Sequence, residues 1–362
     1  MVSYGFRLFA VSLRKRDGRK DEAFFEKASD GKPAWRFSEY LTKLLEERID
    51  ERHQGFPHNP IDLDDITDLD ARDLAEQKEG ARARRKAVSP VFYLTDVKKL
   101  GANVTFSVRY GSPANHDMAT SVDDPAEDKS ISGLPPTRVY QGCLIVPETE
   151  NSKDVGILAI ESVGRACPHA YFQRWARWWA SETSRVEHEA SENSTSPDWW
   201  KMMLQPVTDD KTFMDYIDRA DATEIQLMYQ DADSSADMKL TAEVKTQKAK
   251  RQLKKLVKEW RKAMSNGGAY SKPAAAGEIA AFFGDEVEAL KFDDVSIHLE
   301  DDEYGSKTLG PYNLSDVFTY RYSKSAVPDP DQFKAVVRGA VERLNIQHKP
   351  QYDWTEWPVG RR

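Results

Sequence analysis

The stretch KLTAEVKTQKAKRQLKKLVKEWRKAM, residues 239–264, carries two periodicities in succession. Its opening alternates, with Leu240, Ala242 and Val244 on one side and Thr241, Glu243 and Lys245 on the other, as in a half-buried strand. From Thr246 the period lengthens. Ala249, Leu253, Leu256, Val257, Trp260 and Met264 fall on one stripe of an α-helix. Such a stripe needs a sheet to cover, and the strand pattern ATEIQLMYQ (222–230) precedes it. The strand–strand–helix order then recurs in ALKFDDVSIHLED (289–301), LSDVFTYRYSK (314–324) and DPDQFKAVVRGAVERLNI (329–346), with a short helix near AAAGEIAAFFG (274–284) between the halves.

Residues 3–13 read as a buried strand with apolar side chains on both faces. FSEYLTKLLEERIDE (37–51) fits an amphipathic helix, and residues 91–110 fit paired strands turning at KKLGA. TRVYQGCLIVP and DVGILAIESVG add two more strands, and PHAYFQRWARWWASE (168–182) a helix. The predicted class is α+β, with antiparallel or mixed sheets, helices packed on one face, and two domains. The expected division is an N-terminal α+β domain (1–182) with a long acidic loop at 111–136, a Ser/Thr/Glu-rich linker (183–198), and a C-terminal α+β domain (199–362) with two strand–strand–helix units. The acidic run PIDLDDITDLDARDLAEQKE (60–79) lacks the glycine and ligand spacing of a calcium loop and reads as a solvated connector.

The 362 residues have a net charge of −8, which excludes a protein that coats nucleic acid over its whole surface; any anion must be held by a local patch. Two cysteines, Cys143 and Cys167, are too few for a disulfide framework and lack zinc spacing. The charges of MVSYGFRLFAVSLRKRDGRK follow its apolar run, unlike a secretory signal, and no stretch has the length of a membrane span. A cytoplasmic protein with no membrane partner is the expectation.

That patch is the helix at 245–262. Nine cations from Lys245 to Lys262 face a single local acid, Glu259. Opposite the apolar stripe the helix is predicted to display Lys248, Arg251, Lys254, Lys255, Lys258, Arg261 and Lys262, a polyanion-binding face. The competing reading is a solvated face balanced by acids from elsewhere, with Asp231, Asp233 and Asp237 close in sequence. No zinc-finger spacing, helix-turn-helix signature or RNP-like motif accompanies it, so backbone contacts to DNA or RNA, undistinguished, are expected to dominate.

Glu243 and Lys245, two apart on the strand, resemble the E-x-K part of the PD-(D/E)xK nuclease core. The resemblance covers about 35 residues. It implies that Asp231 (or Asp233) and Glu243 hold magnesium or manganese while Lys245 assists the attacking water. The chain departs from that pattern in having MYQ before the acids and no proline before Asp231. Outside this alternative no cofactor is expected. GxSxG, HExxH, Walker A and GxGxxG are absent, and the seven histidines include no pair four apart. Cys167 beside His169 is the sole Cys/His neighbourhood in the sequence.

A third reading rests on aromatics. Tyr171, Arg174, Trp175, Arg177 and Trp178 crowd the helix 168–182, either as a core with stacked arginines or as an interface for a protein partner or self-association. Trp199, Trp200, Trp354 and Trp357 are further aromatics of this kind, and the tail is expected to fold back. The sequence therefore favours a nucleic-acid-binding protein, of a kind suited to prokaryotic antiviral defence or a mobile element. A protein–protein adaptor and a metal-dependent nuclease are the alternatives.

Overall fold

The computed structural model of the chain describes residues 4–16, 18–29, 33–57, 89–111, 118–119, 129–130, 137–164, 166–190, 199–230, 237–265, 271–283, 287, 292–301, 307–311, 314, 319–323, 329–346 and 348–358. The acidic run at 60–79 and most of the loop at 111–136 lie outside them. The chain divides into two compact units. The first is Met1–Gln205, Tyr322–Gly339 and His348–Arg362; the second is Pro206–Arg321 and Ala340–Gln347.

In chain order the first unit holds β1 (Tyr4–Lys15), β2 (Phe25–Glu26), β3 (Trp35–Arg36), α1 (Phe37–Glu46), β4 (His53–Gln54), β5 (Val91–Leu100), β6 (Asn103–Gly111), β7 (Met118–Ala119), β8 (Lys129–Ser130), β9 (Arg138–Ile145), β10 (Gly156–Val163), α2 (His169–Ala190) and most of β11 (Trp200–Val207). Its sheet runs β11-β1-β10-β9-β6-β5-β4, and the strand pairs in the run from β1 to β4 are antiparallel. β5 and β6 join through Gly101-Ala102, and Gly101 sits at φ +60, a conformation that costs glycine nothing. Both faces of β1 are buried, as its continuous apolar run requires. Phe9, Val11 and Leu13 meet the core shared with Phe37, Leu41, Leu44 and Leu45 of α1 and Phe172, Trp175 and Trp179 of α2. Phe6, on the opposite side by alternation, meets the ring of Phe333 edge to face at 6.0 Å.

Two helix boundaries differ from the sequence reading. α1 stops at Glu46, short of residue 51. α2 runs on to Ala190, so residues 183–190 are helix and not linker. That extension contains no glycine or proline, and Arg185 pairs with Glu189 one turn on at 3.0 Å.

The second unit holds α3 (Asp210–Arg219), β12 (Asp221–Gln230), β13 (Asp237–Glu243), α4 (Gln247–Ser265), α5 (Lys272–Ala280), β14 (Asp294–Glu300) and β15 (Lys307–Leu309). Two later elements, β16 (Tyr320–Ser323) and α6 (Pro330–Arg343), have residues in each unit. The four-stranded antiparallel sheet runs β13-β12-β14-β15. One face, with Ile225, Leu227, Val295, Ile297 and Leu299, is buried with Phe213, Tyr216 and Ile217 of α3, Leu253, Val257 and Trp260 of α4, and Ala275, Ala276 and Ile279 of α5. Three helices on one face and polar residues such as Gln226 and His298 on the other make this an α+β layer.

The two expected strand–strand–helix units are not copies. β14 pairs with β12 and β15, whereas β16 belongs to the larger sheet, where it pairs with β1. α3 was not anticipated. Asp209 caps it, its carboxylate accepting from the Thr212 N–H at 2.9 Å and the Thr212 hydroxyl at 2.8 Å.

Candidate nucleic-acid interface

α4 is anchored as its stripe predicts. Val257 and Trp260 are fully buried and Leu253 nearly so, with Ala249 and Leu256 packed at the margin. Three large side chains at this depth are worth several kcal/mol of apolar burial, enough to fix the rotation of the helix about its axis. At 100° per residue, that rotation determines where each cation points.

The seven cations do not form one uniform surface. Arg261 is 8% exposed: its Nε donates to Asp210 Oδ1 at 3.0 Å, an Nη donates to the Thr208 carbonyl, and the guanidinium lies 5.2 Å from the centre of the Phe213 ring. Lys258 reaches the Asp218 carboxylate, Lys254 Nζ donates to the Asp218 carbonyl at 3.0 Å, and Lys250 pairs with Asp221 at 3.3 Å. The expectation that all seven project without neighbouring carboxylates is therefore wrong on this flank. Among the described residues these acids come from α3 and from its junction with β12; Asp231 and Asp233, close in sequence, lie outside the described residues. A detectable signal was present: Phe213, Tyr216 and Ile217 repeat at helical spacing behind the capping Asp209.

The remaining four, Lys248, Arg251, Lys255 and Lys262, are exposed. On the helical wheel they occupy an arc of about 60°, and they extend over about 21 Å of axis. Among the described residues no carboxylate pairs with Lys248, Arg251 or Lys262. Lys255 meets Glu259 at 3.7 Å with both side chains at least half exposed, a weak contact in water. At the C-terminal end the row borders a cavity of ≈ 390 Å³, where Lys255, Lys258 and Lys262 face Met214 of α3 and Asn345. The row can hold a string of phosphates; the flank beside it is already neutralised.

Glu243 and Lys245 are an ion pair at 3.2 Å with side chains 73% and 79% exposed. Asp231 and Asp233, the proposed metal partners, lie outside the described residues. Among the described residues no group of three or more His, Cys, Asp or Glu is placed to hold a metal ion.

The tryptophan-rich helix is mostly core. Trp179 and Phe172 are fully buried, and Trp175, stacked on His53 at 3.7 Å, donates its indole N–H to the Gly55 carbonyl at 3.1 Å. Tyr171 stacks on Phe56 at 4.3 Å and Trp178 packs partly against the same core. Arg174 and Arg177 are exposed but lie over the rings of Phe56 and Trp199, at 4.0 and 5.8 Å. Trp200 stacks on Trp35 at 4.7 Å. In the tail, Trp357 is buried and its indole donates to the Lys334 carbonyl at 2.8 Å.

The thiols are not poised for nucleophilic work. Burial pushes Cys167 up to about 11 and Cys143 to about 12, and both stay protonated near neutrality. His169 stacks on Phe9 at 4.6 Å, and burial lowers its pKa. Among the described residues no helix is long and apolar enough to cross a membrane. No protein-family model matches the chain, and no curated protein matches it in sequence.

Proposed function

We propose that this protein binds nucleic acid through the open row of α4, gripping the phosphate backbone with Lys248, Arg251, Lys255 and Lys262. The observation that carries the reading is the absence, among the described residues, of a carboxylate partner for three of these four exposed cations. Elsewhere on the same helix every cation that leans toward α3 finds an acid or a carbonyl. A chain of net charge −8 has acids in excess, and none among the described residues covers Lys248, Arg251 or Lys262.

Contacts of this type position a strand without reading its bases. Four phosphates neutralised give a slope of log K against log salt of about −3.6 for duplex DNA and about −2.8 for single strands. Fluorescence anisotropy with single- and double-stranded oligonucleotides, at several salt concentrations and with and without magnesium, tests the reading. Binding with a slope in this range supports it; binding indifferent to salt, or none at low salt, rejects it.

A further inference from the structure

β13 is the terminal strand of the four-stranded sheet, and among the described residues it pairs with β12 alone. The direction of its backbone groups is fixed by one bond. The Val244 N–H donates to the Thr223 carbonyl at 2.9 Å, so even-numbered residues turn their amides toward β12. By alternation Lys239, Thr241 and Glu243 direct theirs away from the sheet, toward an open edge. The side chains of these three are exposed, and Leu240, on the helix-bearing face, is 38% exposed, an unusual state for a leucine beside a core.

From this edge we infer that the protein self-associates, a second copy adding its own β13 antiparallel to the first about a two-fold axis at Thr241. The two-fold axis of two antiparallel strands can pass through a hydrogen-bonded or a non-hydrogen-bonded pair, so any residue from Lys239 to Glu243 can be its centre. Centring on Leu240 or Ala242 sets Thr241 opposite Lys239 or Glu243 and matches no opposite charges. Centring on Lys239 places like charges together, and centring on Glu243 does the same. Centring on Thr241 places Lys239 opposite Glu243 of the second copy, twice over, and all as hydrogen-bonded pairs. It also sets Leu240 beside Ala242 of the second copy, covering the exposed leucine. Glu243 already has Lys245 at 3.2 Å and would then lie between two cations. An axis through this edge runs perpendicular to the sheet. Both copies of α4 therefore lie on the same side of one eight-stranded sheet. The inference stands without the nucleic-acid reading.

A concentration series of the full chain in sedimentation velocity, without nucleic acid, is the test. The expected result is a reversible monomer–dimer equilibrium. Thr241→Pro removes an amide that β12 does not use and is tolerated on an edge, yet blocks the added strand. Lys239→Glu sets like charges opposite each other. Each should raise the dimer dissociation constant about tenfold or more. The exchange Lys239→Glu with Glu243→Lys should restore it. A chain that stays monomeric, a dimer unmoved by both single substitutions, or an exchange variant that fails to recover overturns the inference. Should circular dichroism show that Thr241→Pro unfolds the chain, the exchange at exposed positions 239 and 243 decides alone.

Discussion

Arg261 Nε and Asp210 Oδ1 lie 3.0 Å apart, and this pair ties α4 to the first turn of α3. A guanidinium at 8% exposure is held by three interactions, so it contributes to the fold and not to an outer surface. Arg261→Ala should cost about 2 kcal/mol in urea unfolding, because the Thr208 carbonyl and Asp210 lose their donor together. Lys262→Ala, one residue on and exposed, should change stability by no more than about 0.5 kcal/mol.

Binding should respond in the reverse order. Reversing Lys248, Arg251, Lys255 and Lys262 to Glu should lower oligonucleotide affinity by about a hundredfold or more at low salt and flatten the salt slope. Reversing Lys254, already committed to the Asp218 carbonyl, should have a smaller effect. Anisotropy titrations of the two variants against wild type read the difference.

Trp179 is fully buried against Phe92 and Trp175. Trp179→Ala should destabilise the chain by about 3–5 kcal/mol. Trp178→Ala, at the margin of that core, should cost about 1 kcal/mol or less and leave the oligomeric state unchanged in sedimentation velocity. A change of assembly on losing Trp178 would restore the interface reading of this helix.

Acid should loosen the first unit through His169. Its folded pKa lies below the ordinary value of 6.5 because burial penalises the cation, so the unfolded chain takes up the proton first. Stability is full above about pH 6.5 and declines as pH falls through the lowered folded value. His169→Phe, keeping the stack on Phe9, should remove that part of the decline in chemical denaturation between pH 7 and 5.

Local pattern carried much of this fold in advance. β1 follows from its continuous apolar run, β5, β6, β9, β10, β12 and β13 from strand-like runs between turns, and α4 from the Leu253–Val257–Trp260 stripe. What escaped were features set by tertiary partners. β16 is a strand in sequence, but only the sheet decides that it joins β1 rather than β14. α2 outlasts its apolar stripe through Arg185, Glu187, Glu189 and Ala190, good helix formers, while the Ser, Thr and Glu of 183–198 as a whole mimic a linker. The basic face was legible as a set of residues but not as a surface. Which lysines remain open depends on where Asp218 and Asp221 fall, and Asp218 lies 36 and 40 residues upstream of the two lysines it meets.

The sheet that begins at Tyr4 is also covered by residues synthesised long after its own strands. Tyr352 donates its hydroxyl to the Val155 carbonyl at 2.7 Å, and Asn103 donates its side-chain amide to the Asp353 carbonyl at 3.0 Å. On a ribosome, residues 206–321 emerge as an unbroken block before those partners exist. The larger sheet is thus completed only after the block 206–321 has emerged, and its unfinished surface is what chaperones would meet during translation.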